Sequence, residues 1–152
     1  MAEAEKALAQ NRKATHEYFI DEVFEAGIAL TGTEIKSVRA GKMSLQESYA
    51  RVDGGEAWLI NSYIAPYERG SHFNHEPKRP RKLLLHRDQI RELRRKAEEK
   101  GYTLIPLRVY LSHGRAKVAL AVARGKKLWD KREAMAKREA MRDVERAFAG
   151  RE

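Results

Sequence analysis

The sequence predicts a mainly β (α+β) domain built on an antiparallel sheet and followed by a basic tail of different character. Two hairpin signals and one change of composition predict it. In SYARVDGGEAWLINSYIAPY, the pairs Tyr49, Arg51 and Trp58, Ile60 alternate on either side of Asp53-Gly54-Gly55, a turn that tolerates positive φ. TLIPLRVYLSHG and RAKVALAVARG alternate in the same way around Ser112-His113-Gly114. From Arg124 onward the alternation stops, and charged and small residues dominate to the C-terminus.

Taken in order, residues 1–10 are rich in Ala, Glu and Lys and carry no capping or packing signal. They read as a flexible leader, with order beginning near Asn11. In HEYFIDEVFEAGIALTG the residues Phe19, Ile20, Val23, Phe24 and Gly27 recur at helical spacing, while aromatic and β-branched content favours a strand. The pattern supports both readings equally. TEIKSVRAG predicts a short helix with Glu34 near its start, Lys36 and Arg39 nearer its end, and Gly41 as terminator. The first hairpin follows, then ERGSHFNHEPKRPRK, a polar stretch with two prolines that reads as a surface loop. RKLLLH predicts a short buried strand, and RDQIRELRRKAEEKG a helix with Ile90, Leu93 and Ala97 on one stripe and Gly101 as its stop. With the second hairpin the count is about six strands and two helices. A closed barrel is the natural way for such a sheet to protect its edges. The domain boundaries this implies are a leader over 1–10, a barrel over 11–123 and a tail over 124–152.

The tail holds ten basic and six acidic residues. Met141, Val144 and Phe148 lie at i, i+3 and i+7, a stripe too narrow for independent packing. Its composition makes a helix cheap, but an isolated helix is marginal in water, so the tail is expected to order on a partner.

Charge narrows the choice of partner. In 152 residues, 31 Lys and Arg stand against 22 Asp and Glu, a formal net charge of +9. Polyanions are attracted by such a field, nucleic acid first and an anionic membrane surface second. No stretch approaches the roughly 20 apolar residues of a membrane span, and MAEAEKALAQ lacks the apolar run of a signal peptide. The expectation is a soluble, cytoplasmic protein. The absence of Cys removes disulfides, thiolate nucleophiles and Cys-based zinc sites together.

Several stretches invite catalytic or ligand readings, and each is weighed against a plainer one. AGKMS resembles a phosphate loop, but Lys36 stands where the cradle needs Gly. His72, His75 and Glu76 supply potential metal ligands, although this spacing is common by chance and a solvated loop is the better reading; no metal or other cofactor is expected. Glu17, Asp21, Glu22 and Glu25 offer carboxylates for acid–base work, yet without a nearby His or metal motif such runs are surface charges. KRPRK, residues 78–82, reads as a solvated basic patch or a phosphate contact, and the total charge favours contact with RNA. Tyr49, Trp58, Tyr63, Tyr67 and Tyr110 serve either as packing or as a base-stacking platform. Charge and an antiparallel barrel together suit structured RNA, which proteins read through shape, backbone and unstacked bases. The residues alone lead to an RNA-binding module and no further.

NRKATHEYFIDEVFEAGIALTGTEIKSVRAGK, NHEPKRPRKLLLHRDQI, KGYTLIPLRVY and RGKKLWDKRE resemble the small protein B (SmpB) family, the SsrA-binding or tmRNA-binding proteins of bacterial trans-translation. The similarity runs from about Asn11 into the tail. It implies a six-stranded antiparallel barrel of the oligonucleotide-binding type with peripheral helices, and so a strand over residues 16–30. It implies no enzymatic activity. Members bind the tRNA-like domain of tmRNA and carry it to ribosomes stalled on mRNA without a stop codon, standing in for the missing anticodon arm. The implied partners are tmRNA, the 70S ribosome with its rRNA, and elongation factor Tu with the charged tmRNA.

Carried over by motif, Asn11 in NRKA, Glu25 in FEAG, Leu84 in RKLLLH and Lys117 in AKVAL match positions tied to tmRNA binding. Lys117 can neutralise phosphate and Asn11 can both donate and accept. Glu25 would accept from a base edge or ribose hydroxyl, or orient a lysine, while Leu84 shapes the surface or packs against a base. The resemblance also implies a tail that is disordered when free and becomes helical on the ribosome, in the decoding centre and empty mRNA channel. There Arg124, Lys126, Lys127, Lys131 and Arg132 would pair with phosphates, Trp129 would stack, and Asp130 would orient Lys131 or Arg132. Met141, Val144 and Phe148 would stabilise the helix against rRNA. Two rival classes stand beside this reading. An RNA-processing enzyme would need turnover dependent on Glu25 or the His72, His75 pair, and a structural ribosomal protein would stay bound to ribosomes without tmRNA.

Overall fold

A computed structural model describes residues 6–67 and 74–126. Chain order is β1 (Ala7–Gln10), α1 (Arg12–Glu17), β2 (Tyr18–Ile28), α2 (Gly32–Arg39), β3 (Met43–Ser44), β4 (Tyr49–Asp53), β5 (Glu56–Ile60), β6 (Tyr63–Ile64), β7 (Arg81–Leu84), α3 (Arg87–Ala97), β8 (Tyr102–Ser112) and β9 (Arg115–Gly125).

Both expected hairpins form around two-residue turns. Asp53 pairs with Glu56, leaving Gly54 and Gly55 at φ +62° and +77°. Ser112 pairs with Arg115, leaving His113 and Gly114 at φ +52° and +76°. Two successive positive φ angles match the right-handed twist of the flanking strands, which is why Gly is favoured there. β2, for which the pattern allowed helix or strand, is a strand paired with β9 from Tyr18–Gly125 to Gly27–Lys117. Its helical spacing is not used: Phe24 lies in the core, whereas Phe19 and Val23 are exposed. The long ladder outweighs a weak local preference.

The sheet closes. β8, β4, β5, β7, β2 and β9 follow one another in antiparallel pairs, and β9 returns to β8. This six-stranded ring leaves no free edge where it closes. β3 and β6 form a separate two-stranded ladder. The barrel interior holds Phe24, Ile28, Leu59, Leu83, Val118 and Leu120 among others, with Val38 of α2 and Leu93 of α3 packed onto it. Each fully buried aliphatic side chain contributes on the order of 2 kcal/mol.

The leader expected over residues 1–10 is corrected in part. Ala7–Gln10 pairs antiparallel with β8, Ala7 opposite Tyr110 and Gln10 opposite Arg108. β4 meets that side of β8 only at Leu104, so β1 covers the length that β4 leaves open. Alanine suits the position because it is buried without loss of side-chain entropy, and Ala9 joins the core. α1 was not expected either. It lays Ala14 over Ile105 and Ala123 on the outside of the barrel.

The boundary drawn at residue 123 also moves. β9 continues to Gly125, so Arg124 belongs to the barrel.

Candidate nucleic-acid interface

Residues paired across antiparallel strands share a face, so register shows what the outer surface of β7, β2, β9 and β8 presents. One row runs Leu84, Gly27, Lys117, Tyr110. The adjacent row runs Glu25, Ala119, Arg108. Three of the four residues expected to bind tmRNA, Glu25, Leu84 and Lys117, therefore come together on one face.

Leu84 is 51% exposed, unusual for a leucine at the end of a short strand. The expectation of a buried strand over RKLLLH holds for Leu83, in the core, and fails for Leu84, which points the other way along the pleat. Gly27 makes that placement possible: a Cβ built there would lie 3.1 Å from Cβ and 3.3 Å from Cδ1 of Leu84. Beside them is a hollow of about 420 Å³, lined by Ile28, Leu30, Ile35, Leu84, Arg115 and Lys117 among others. It has an apolar floor and cations at its rim, the combination that accepts an unstacked base beside its phosphate. Arg39, whose Nη2 donates to the Gly114 carbonyl at 3.3 Å, lies by the same turn.

The two rows are linked: the Tyr110 hydroxyl donates to Oε2 of Glu25 at 2.5 Å. The Arg108 guanidinium lies 4.7 Å from the centre of the Tyr110 ring, a cation–π contact. Arg108 is exposed and does not stand out in the sequence; an arginine inside the apolar run PLRVYL is the available signal. Tyr110 stands out there only as one of five aromatics.

Asn11 is placed apart. Its backbone N–H donates to the Leu107 carbonyl at 2.8 Å and its Nδ2 to the Pro106 carbonyl at 3.1 Å, so it fastens the turn between β1 and α1 to β8. At the far end of β9, Arg124 pairs with Asp21 at 3.3 Å and lies 5.8 Å from the ring centres of both Phe19 and Tyr102. A hydrogen bond with the Asp21 carboxylate, reinforced by burial, raises the Tyr102 pKa. Lys126 donates to the Thr15 carbonyl at 3.0 Å and approaches the Phe19 ring. The base of the tail is thus attached to the barrel. Lys127, Trp129, Asp130, Lys131, Arg132, Met141, Val144 and Phe148 lie outside the described residues.

The remaining motifs resolve into structure. Gly41 and Lys42 of AGKMS close the C-terminus of α2, donating to the carbonyls of Val38 and Ser37 at 2.9 and 3.0 Å. That is a Schellman ending, whereas a phosphate cradle needs free N–H groups at a helix start. Both ring nitrogens of His75 are engaged, Nδ1 with Thr33 Oγ1 and Nε2 with the Ile64 carbonyl, each at 2.9 Å; His72 is outside the described residues. Asp21 pairs with Arg124 and Glu22 with Lys96.

KRPRK divides between surface and interior: Lys78 is exposed, while the two arginines turn to a buried carboxylate. Arg79 and Arg81 both turn to Glu34 of α2, which is fully buried, and Lys82 pairs with Glu56. A second hollow, of about 710 Å³, lies between α3 and the β4–β5 turn and contains none of the expected contact residues.

A closed antiparallel barrel with cations and an exposed leucine ranged over one outer face is a nucleic-acid-binding module of the oligonucleotide-binding type. Residues 8–150 match the family described as SmpB protein, and the chain belongs to that family. It is a family of RNA-binding proteins, not of enzymes. The SsrA-binding protein of Desulforudis audaxviator (strain MP104C) is 60% identical over 149 residues, 98% of this chain and 97% of the relative. The SsrA-binding protein of Roseiflexus sp. (strain RS-1) is 60% identical over 148 residues, 97% of this chain and 94% of the relative. Among solved structures, a chain from the work described as "tmRNA-SmpB: a journey to the center of the bacterial ribosome" is 56% identical and superposes with a TM-score of 0.66, covering 77% of this chain and 82% of that one. No helix among the described residues is long and apolar enough to cross a membrane.

Proposed function

We propose that the protein is a non-enzymatic cytoplasmic adaptor that binds the tRNA-like domain of tmRNA and delivers it to stalled ribosomes for trans-translation. The observation that carries this reading is the convergence of Glu25, Leu84 and Lys117 on one outer face of the barrel, in a chain of the SmpB family. In this reading the barrel grips tmRNA through Glu25, Leu84 and Lys117, with Asn11 holding the neighbouring turn. The protein takes the place of the anticodon arm, and elongation factor Tu accompanies the charged tmRNA. Lys126, Lys127, Lys131 and Arg132 of the tail meet rRNA phosphates in the decoding centre and empty mRNA channel, with Trp129 stacking, Asp130 orienting its cationic neighbours, and Met141, Val144 and Phe148 lining the helix. Arg124 anchors the tail at its root.

The test is a salt titration of binding to purified tmRNA and to an unrelated RNA of equal length, with the full chain and with a version ending at Lys126. The shortened version stops there because β9 runs through Gly125. Both proteins should prefer tmRNA by a wide margin, while only the full chain supports tagging on stalled ribosomes. Equal binding to the two RNAs at every salt concentration would reduce the interaction to charge alone and overturn the reading.

A further inference from the structure

An acidic residue on a face meant for a polyanion calls for an explanation. Glu25 is exposed, yet one of its oxygens is taken by the hydroxyl of Tyr110, a residue only 3% exposed. The other oxygen has no hydrogen-bond partner among the described residues. Tyr110 is held in turn by its place in β8 between Ala7 of β1 and Lys117 of β9, with Arg108 over its ring. Between Glu25 and Arg108 the row is occupied by Ala119, which is only 8% exposed, so the row presents an anion and a cation on either side of a short, covered residue. Lys117 stands in the next row, roughly 7 Å along the strands.

Arg108 in this row and Lys117 in the next draw in the phosphates of a strand laid across them. A backbone lying against them brings its sugars within reach of the carboxylate beside them. A carboxylate there can only accept, and the donor an RNA backbone offers is the 2′-hydroxyl. We propose that Tyr110 is a positioning residue that orients Glu25 so that its second oxygen accepts a hydrogen bond from a ribose 2′-hydroxyl of bound RNA, with Arg108 and Lys117 taking the flanking phosphates. The carboxylate thereby distinguishes RNA from DNA at one nucleotide. This rests on the RNA-binding reading above and adds Arg108 to the contact set, with Tyr110 acting behind Glu25.

The experiment uses the full chain and a tRNA-like domain of tmRNA assembled from synthetic strands, each carrying a single 2′-deoxy substitution. With wild-type protein, one position or a pair of neighbours should lose about tenfold in affinity, as expected for a hydrogen bond to a charged acceptor. Glu25→Gln and Tyr110→Phe should each weaken binding to the all-ribose RNA and lose most of that discrimination. Neither should change the dependence on salt, because no phosphate contact is removed. Tyr110→Phe retains the ring under Arg108, and its melting curve verifies the fold. Arg108→Ala should instead lower the salt slope by about one phosphate contact and keep the 2′-deoxy effect. If Tyr110→Phe retains full discrimination, its hydroxyl merely satisfies itself on Glu25 and the proposal falls. It falls equally if no position is sensitive in the wild type. Loss of preference for tmRNA over an unrelated RNA would instead count against the function proposed above.

Discussion

Arg81 donates from Nε to Oε2 of Glu34 at 2.7 Å, and both side chains are fully buried, although 47 positions separate them. A charge pair removed from water holds together only if its remaining polar atoms also find partners. Here they do. Arg81 Nη1 reaches Ser62 through its carbonyl at 3.0 Å and its hydroxyl at 2.9 Å, and Nη2 reaches the Pro77 carbonyl at 3.1 Å. Arg79 and the Thr31 N–H complete the shell around Glu34. α2, the segment before β7 and β7 itself are joined by one carboxylate.

That carboxylate makes stability depend on acid. Burial alone raises the Glu34 pKa, but hydrogen bonds from Arg79, the Thr31 N–H and Arg81 outweigh it and hold the group at about 2, against an ordinary 4.5. A depressed carboxylate contributes stability that is complete above the unfolded value and is lost as pH falls towards the folded one. Urea unfolding should therefore show stability declining from about pH 4.5 to about pH 2, by roughly 3 kcal/mol from this group. Glu34→Gln should flatten that decline and cost about 3 kcal/mol or more at pH 7, because Arg81 remains buried without its counter-charge. An acid limb unchanged in the variant would assign it to other carboxylates.

Lys117 sits half-buried beside the Leu84 hollow with its charge at the rim. Lys117→Glu should weaken RNA binding and lower the slope of log affinity against log salt by about one phosphate contact. A slope equal to wild type would remove Lys117 from the interface.

Gly27→Ala tests whether Leu84 must point outwards. The new Cβ would lie 3.1 Å from the Leu84 Cβ, which side-chain rotation cannot move, so the β2–β7 pair must spread slightly while Cδ1 turns away. The entropic gain of replacing Gly, about 0.4–1 kcal/mol, is smaller than the roughly 1–3 kcal/mol of such overpacking, so stability should fall by about 1 kcal/mol. The Leu84 methyl resonances should shift and tmRNA affinity should fall. Unaltered affinity with shifted methyls would show that the orientation of Leu84 is not read by the RNA.

β1 is short, but it covers an edge of β8 and brings Ala9 and part of Leu8 against the core. A version beginning at Asn11 should lose about 2 kcal/mol, mostly from Leu8 and the uncovered edge, and melt several degrees lower. A melting temperature equal to that of the full chain would make β1 an ornament of the fold.

Much was legible because it is local. Gly54-Gly55 and His113-Gly114 announce their hairpins through residues next to them, and α2 and α3 through spacing within about a dozen positions. β1 was not legible: four residues of Ala, Leu and Gln carry no readable period, and their partner strand lies about a hundred positions away. The arginines of KRPRK misled for a related reason. Charge in a polar stretch resembles a solvated patch until the fold brings a buried carboxylate to it. Of the candidate site, motif resemblance supplied Glu25, Leu84 and Lys117 one by one, but not the register that joins them, nor Tyr110 as the partner of Glu25.

By itself, the sequence determined an antiparallel β domain with two tight hairpins, a strongly basic balance and a compositional break near the tail, since these depend on side-chain period, turn chemistry and total charge. Tertiary structure alone decided the closure of β9 onto β8, the burial of Glu34 between Arg79 and Arg81, and the meeting of Leu84, Gly27, Lys117 and Tyr110 in one row. Those outcomes join residues far apart in the chain, and they are selected by which surfaces can be taken out of water together.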